Sequence, residues 1–506
     1  VDGARTLRDV IAPLLENRRR LAPLGFVLLL SFAYFVGAPA WNENSRLALT
    51  RALVEDQSTM IDRFAVTTGD KSFRDGHFYS DKAPGTSFLA VPVYAVFHGL
   101  RALVGAEPPS VRVHSLDPRL RVADSEPAPE ARLPGDVLVY DPSHRVALYL
   151  CSLLTVGLAS VAAAAATFVV ARRWCGSTDV AVRTAVVYAL GTPAFVYSTA
   201  LYGHQLCAGL LMSAFAIVVV ADARAARSVP LCAGLLLGLA VMTEYTAAPI
   251  ALVIAALGLQ RGRSFAGWMV AAGLPCAALL AAYHTVAFGN PLSTGYDFVY
   301  RQEFAEGMRD AYGLGAPDPV ALWQITFGSY RGLFYISPVL LLAAWGLVRL
   351  ALDSSRPHRA ARVVALAIPI YLLLLNAGYY MWDGGASAGP RHVVPALPFL
   401  ALGLVRAWAA VPRATLVLSI VSVGQSLLLA NASPEVAQFG DPLWQFSIDR
   451  LLYRVPGPEI RSTNAGLLLG LPGVLSLAPL LVLWWWAWPN LRSGPTESGP
   501  PSTDRA

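Results

Sequence analysis

Charge is what this chain has least of. Only 14% of its 506 residues are Asp, Glu, Lys or Arg, where soluble domains carry about a quarter. So low a share excludes a disordered chain, which stays solvated through its charge, and a large water-soluble enzyme. Lysine is nearly missing: Lys71 and Lys82 stand against 37 arginines. Cysteine is scarce too, with five in all (Cys151, Cys175, Cys207, Cys232 and Cys276), each in or beside an apolar stretch. That pattern gives neither a disulfide framework nor metal-ligand spacing. There is no P-loop and no Rossmann fingerprint, so nothing cradles a nucleotide. The net charge is +6, yet no basic strip runs along the chain, and no nucleic acid partner is expected. What is abundant is hydrophobic: 55% of the residues, gathered in blocks such as 21–40 and 146–171. Each block can cross a hydrocarbon core ~30 Å thick at ~1.5 Å per helical residue. The sequence predicts an all-α polytopic membrane protein.

Orientation follows Arg and Lys in short loops at span ends. The clusters are Arg18/Arg19/Arg20, Arg172/Arg173, Arg224/Arg227, Arg261/Arg263, Arg356/Arg359/Arg362, Arg406/Arg413 and Arg492. Setting all of them in the cytoplasm yields about twelve transmembrane helices with both ends inside. The expected spans are 21–40, 146–171, 180–200, 204–221, a short pair within 229–259 turning at 243–246, 265–288, 332–350, 363–380, 393–408, 414–430 and 465–488. Residues 1–20 form a cytoplasmic segment and 21–40 a retained signal anchor. Residues 489–506, rich in Ser, Gly and Pro, read as a disordered cytoplasmic tail. Three outer loops result, at 41–143, 289–330 and 431–463. No internal repeat of the transporter kind is visible.

Segment 85–104 tests this path, because it is apolar enough to span. If it crossed, every later basic cluster would face outward. It also holds Pro92, His98 and Arg101, so it is expected to lie on the outer surface as an interfacial helix. The first outer loop is then the largest piece outside the membrane and the place to look for chemistry.

Four stretches there and beyond carry candidate residues. Trp41-Asn42-Glu43-Asn44-Ser45-Arg46 follows the first span. A carboxylate at the membrane edge can take a proton from a hydroxyl if burial raises its pKa; a solvated helix start capped by Asn42 or Asn44 is the plainer alternative. Asp75-Gly76-His77-Phe78-Tyr79-Ser80-Asp81-Lys82-Ala83-Pro84-Gly85 contains one of the two lysines. Its ammonium suits a phosphate at headgroup depth, or a local pair with Asp81. Ala200-Leu201-Tyr202-Gly203-His204-Gln205 offers a histidine at an outer turn, or a satisfied polar group. Tyr380-Met381-Trp382-Asp383-Gly384-Gly385-Ala386-Ser387-Ala388-Gly389-Pro390-Arg391-His392 combines glycine-rich backbone with an arginine able to grip a phosphate bidentately, or forms a plain hairpin. Glu244 and Tyr245, at the tip of the short hairpin, are a weaker candidate.

Taken together, these motifs resemble the polytopic glycosyltransferases of the GT-C fold, above all the protein O-mannosyltransferase and lipid A aminoarabinose transferase relatives (family 39). Glu43-Asn44-Ser45-Arg46 stands where that family has an acidic motif after its first span. Tyr79-Ser80-Asp81-Lys82-Ala83-Pro84 stands where a Phe-Glu-Lys-Pro-Pro motif opens an interfacial helix, and Ala171-Arg172-Arg173 closes the next span. The resemblance implies a GT-C-like bundle over 21–488 in a bacterial cytoplasmic membrane, with its active site facing outward. It implies a sugar moved from a polyprenyl-phosphate donor to an acceptor hydroxyl, of a protein, lipid or polysaccharide, with inversion. Glu43 would be the base, Lys82 and Arg391 would hold the donor phosphate, and Arg46, Asp81, His204, Tyr79, Trp382, Asp383 and His392 would support them. No cofactor is required, a divalent cation is left open, and no residue is assigned to a metal. Two departures stand out: Glu43 replaces the usual aspartate, and His204 stands where many relatives have an acid. Insert 107–142 has no counterpart. A transporter or flippase of lipid-linked sugar is the competing class, with a non-catalytic lipid-sugar binder third.

Overall fold

The computed structural model describes Thr6 and residues 12–115, 136–222, 225–355, 358–436, 440–452 and 462–492. Helices dominate, as continuous apolar stretches require in lipid, where only intrahelical bonds satisfy the backbone. By length and composition, six described helices can cross a membrane: Gly85–Leu103, Pro142–Cys175, Gly203–Val220, Arg263–Phe288, Arg359–Ala377 and Pro412–Ala432. A seventh span results if the bent pair Arg391–Ala401 and Leu404–Ala410 counts as one. Four shorter apolar helices, Ser228–Thr243, Tyr245–Arg261, Val339–Leu352 and Gly473–Trp488, pack among them. The largest core cluster joins these helices to Arg18–Ala33 and Thr178–Leu190 through residues such as Phe168, Tyr188, Phe215 and Phe399, each 0% exposed.

Several expected spans are interrupted, and each break has a local cause. The first ends at Ala33, and Phe35–Val36 then pairs antiparallel with Asn464 and Thr463. The expected span 180–200 is the helix Thr178–Leu190, stopped before Pro193, followed by the single turn Ala194–Tyr197; proline brings no N–H to continue the ladder. Segment 393–408 bends by 50° between its two halves. Gly403 sits at that bend against Ala343, whose carbonyl oxygen would lie 1.8 Å from any Cβ there. At the far end Ala465–Leu468 is separated by Pro472 and Gly473 from Ala478–Arg492. The helix Ala478–Arg492 carries through the first residues expected in the tail, and 493–506 lie outside the described residues. Arg224, Arg356 and parts of the third outer loop (437–439, 453–461) also lie outside them.

The all-α expectation needs one correction: three small antiparallel two-stranded sheets are present. One is the Phe35–Val36 pair. The second, Lys71–Arg74 with His77–Ser80, turns through Asp75 and Gly76, both at positive φ (52° and 86°). That is the backbone a two-residue hairpin demands, since its twist must match the strands. The third pairs Val111–Ser115 with Asp136–Tyr140, so the ends of insert 107–142 form a hairpin whose middle, 116–135, lies outside the described residues.

Candidate functional site

The segment from Trp41 to Asp81 folds with many of its polar residues buried, among them Asn42, Glu43, Asn44, Arg46, Arg51, Lys71 and Asp81. Helix Trp41–Arg51 starts from Ala40, with no side-chain cap, and Asn42 through Arg51 are all buried; this is not a solvated helix start. Arg46 reaches back one turn to the carbonyl and side-chain oxygen of Asn42, and its other Nη lies 3.5 Å from Glu244 Oε1. The hairpin register, Lys71 opposite Ser80, brings the residues just beyond it together: Lys82 Nζ lies 3.0 Å from Asp70 Oδ2 and 3.2 Å from Asp81 Oδ2. Gly85 then lets helix Gly85–Leu103 press against the backbone of Met242 and Thr243, 2.5 Å from where a Cβ would stand. That contact sets Lys82 beside the tip of the short hairpin, where Glu244 sits in extended conformation between two helices.

Opposite, His204 opens helix Gly203–Val220 and its Nδ1 lies 3.2 Å from Glu244 Oε1. His392 stands against it, ring centroids 5.1 Å apart. Arg391 precedes it at the end of the glycine-rich loop, its guanidinium 6.0 Å from the centre of the Tyr202 ring. These groups line one cavity of about 410 Å³, shared by Asn42, Arg46, Asp70, Asp81, Lys82, His204, Glu244, Arg391 and His392. Aromatic and apolar residues line the same cavity, among them Tyr245, Tyr296, Phe304, Tyr312, Leu375 and Tyr379, with the Tyr379 ring 5.3 Å from that of His392. Arg46 Nε, Arg391 Nε, His392 Nε2 and Asp81 Oδ1 are buried without a hydrogen-bond partner among the described residues. Buried polar groups rarely stay unpaired, and three of these four sit on side chains that serve as donors.

Burial and neighbouring charge divide the carboxylates. For Asp70, burial pulls upward but Lys82, with Arg391 and Arg46, outweighs it and holds the carboxyl below its usual range. Asp81 shares the same ammonium and loses the contest, so burial pushes it up to about 6. Burial would lower Lys82, yet Asp70 and Asp81 hold its pKa above the ordinary lysine value. Burial also raises Glu244, against Arg46, Arg391 and Lys82.

The structure brings Arg46, Asp81, Lys82, His204, Arg391 and His392 to one place, and leaves four other candidates elsewhere. Glu43 is 2% exposed and is not among the residues that line the cavity. Its neighbour is Glu435, which accepts from the Tyr202 hydroxyl at 2.9 Å. Burial, then the charge of Glu435, raises Glu43 well above the carboxylate range. Tyr79 packs in an apolar cluster on Phe288. Trp382 stacks edge-on against Tyr330, and Asp383 accepts from the Tyr330 hydroxyl at 2.9 Å. Arg331, 0% exposed, binds the carbonyls of Asp383 and Gly385; these residues shape the glycine-rich loop. No sequence motif singles out Asp70, and Glu244 matters more than its place in the chain suggests. Among the described residues no three His, Cys, Asp or Glu side chains converge as metal ligands would.

Fold and cavity thus define a multi-pass helical membrane protein with one charged cavity that gathers residues of 42–82, 204, 244 and 391–392. No protein-family model and no curated protein matches the sequence. Among solved structures, the chain is similar to ArnT from Cupriavidus metallidurans in its apo state (14% identity, TM-score 0.44, covering 83% of this chain and 63% of that one). The same protein bound to undecaprenyl phosphate gives 15% identity, TM-score 0.45 and coverage of 81% and 63%. The Archaeoglobus fulgidus oligosaccharyltransferase in its apo form gives 13% identity, TM-score 0.42 and coverage of 81% and 56%. The chain therefore spans less than two thirds of the length of the solved structures it matches.

Proposed function

We propose that this protein is a membrane glycosyltransferase that moves a sugar from a polyprenyl-phosphate donor to an acceptor hydroxyl at the extracytoplasmic face, with inversion. The observation that carries this reading is the convergence of Arg46, Lys82 and Arg391 on one cavity that is also lined by tyrosines and apolar side chains. A sugar phosphate on a prenyl chain has matching parts: an anion for the cations, ring faces for the tyrosines, and a hydrocarbon tail for the membrane.

In this reading Lys82 and Arg391 hold the donor phosphate. As the bond from the sugar's anomeric carbon to the phosphate oxygen breaks, its electron pair stays with the phosphate, and the preset cations stabilise that charge. The acceptor oxygen attacks from the opposite side and its proton passes to a carboxylate. Sequence resemblance gives that part to Glu43, but a base must come within hydrogen-bond reach of the proton it takes. Glu244 lines the cavity and is held by His204 and Arg46 rather than by Lys82; it is the better-placed base. Glu43 then supports the structure around Tyr202.

The test is binding of polyprenyl-phosphate sugars to the detergent-purified chain, wild type against Lys82→Ala. The expected result is binding by wild type that falls at least tenfold in the variant. If well-folded wild type binds no such donor, the reading fails. Uptake of a lipid-linked sugar by reconstituted vesicles, unaffected at Glu244, would instead make the protein a flippase.

A further inference from the structure

A second cavity, about 770 Å³, shares no lining residue with the charged site. Two helix faces form its sides. On Thr178–Leu190 the lining positions Asp179, Val182, Arg183, Val186, Val187 and Leu190 follow the i, i+3, i+4, i+7 spacing. On Pro412–Ala432 the lining residues Arg413, Leu416, Ser419, Ile420 and Val423 do the same. Such spacing keeps side chains on one helix face. Helix Arg18–Ala33 contributes Leu24, Val27 and Leu28, and Trp484 and Trp488 close the remaining side. Leu416 and Ile420, on the rim, are 47% and 64% exposed.

Charge enters this groove only at one end. Asp179 and Arg183 lie in the first turns of one helix and Arg413 in the first turn of the other. Asp179 is already paired with Arg20 at 2.5 Å. Arg183 lies with its guanidinium 5.5 Å from the centre of the Trp408 ring, and neither it nor Arg413 has a carboxylate partner among the described residues. From this charged end each face runs ten or eleven residues to the apolar end, about 15–16 Å at 1.5 Å per residue. That is the depth of one leaflet, half of a core about 30 Å thick.

We infer that this groove is a binding site for an anionic phospholipid of the cytoplasmic leaflet, with one acyl chain along the groove and the phosphate between Arg183 and Arg413. A bilayer supplies phosphate at the depth of the two arginines, and basic pockets between membrane helices on the cytoplasmic side select acidic headgroups. A zwitterionic lipid fills the same apolar length but brings an ammonium to the arginine end.

The experiment is native mass spectrometry of the full chain, released from nanodiscs of equal phosphatidylglycerol and phosphatidylcholine. Wild type is expected to keep one phosphatidylglycerol in preference to phosphatidylcholine. Arg183→Gln with Arg413→Gln, both at exposed positions, should lose that preference by about fivefold per arginine. Ile420→Trp, which fills the groove, should reduce retention of both lipids while thermal unfolding stays unchanged. Equal retention of the two lipids by wild type, or a preference that survives the double substitution, overturns the inference. So does a wild-type chain that runs as a dimer and that Ile420→Trp turns into a monomer with its lipid retained, because the groove would then seat a second copy.

Discussion

Residues 42–82 and the segments packed on them hold buried carboxylates in two kinds of company. Asp70 and Asp81 share Lys82 at 3.0 and 3.2 Å, with Arg46 and Arg391 on the same cavity. The charge of Glu435 raises Glu43, and Glu435 has the Tyr202 hydroxyl at 2.9 Å. Burial raises the pKa of a carboxyl, and a nearby cation or hydrogen bonds to the charged form oppose it. Asp70 is therefore the ionised partner of the first group, while burial pushes Glu435 up to about 7 in the second. The first arrangement can exchange partners with an arriving phosphate; the second keeps a buried proton.

Removing the lysine breaks the first arrangement most severely. Lys82→Met leaves two buried carboxylates without their shared ion, a change that costs about 3–5 kcal/mol where a buried pair is split. Donor affinity should fall about 10- to 100-fold, the worth of a charge-assisted contact. Adding Asp70→Asn should recover much of the thermal stability and none of the affinity, read by melting and by donor binding on the same preparations. If affinity returns together with stability, Lys82 is a structural ion and not a phosphate ligand.

Next comes the exchange of acids between the two groups. Glu244→Gln should keep donor binding and lose transfer by at least 100-fold, about the share general-base catalysis commonly supplies. Glu43→Gln should retain transfer to within a few-fold, because Glu43 is not among the residues that line the cavity. Turnover measured on both variants with one donor sharpens the comparison. A dead Glu43→Gln beside an active Glu244→Gln would return the base to the position the sequence motif indicates.

A smaller effect separates the two lysines. Lys71 Nζ donates to the Ala65 carbonyl at 2.8 Å and sits 4.6 Å from the centre of the Phe78 ring, away from the cavity. Lys71→Met should lower stability by about 1–2 kcal/mol and leave donor affinity as it was. Affinity lost in parallel with Lys82→Met would erase the distinction.

The contrast between the lysines also marks how much of the molecule is legible in its sequence. Apolar runs predict where most helices lie, because burial in lipid leaves the backbone no alternative. Their breaks are written in Pro193, Pro472 and Gly403, which an apolar count passes over. The hairpin is legible too: Asp75-Gly76 between Phe73 and Phe78 is a strong local turn signal. Glu43 follows Asn42 by one residue and precedes Arg46 by three, so the helix period alone does not set it off the cavity face; only the fold shows that Asn42 and Arg46 line the cavity while Glu43 is not among its lining residues. Glu244 cannot be assigned locally, since its contact with Arg46 joins residues 198 positions apart. Asp70 enters only through the register that sets Lys71 opposite Ser80.

The mildest test addresses the acid pair alone, through pH. Glu435 titrates near 7 in the fold because burial, above all, disfavours its charged form, whereas an unfolded glutamate titrates near about 4.3. Between those values the folded chain binds more protons than the unfolded one, so stability falls as pH rises through this window and levels off above it. Glu435→Gln removes the titrating group and keeps an acceptor for the Tyr202 hydroxyl. The variant should match wild type in thermal unfolding near pH 4.5 and exceed it near pH 8, by about 1–3 kcal/mol. Asp70→Asn, taken from the cation-paired group, should show no such gain at pH 8, because its carboxylate is already stabilised there by Lys82. Equal shifts for Glu435→Gln at both pH values would mean that Glu435 titrates in the fold as it does unfolded, with Arg391 and Lys82 offsetting the cost of its burial.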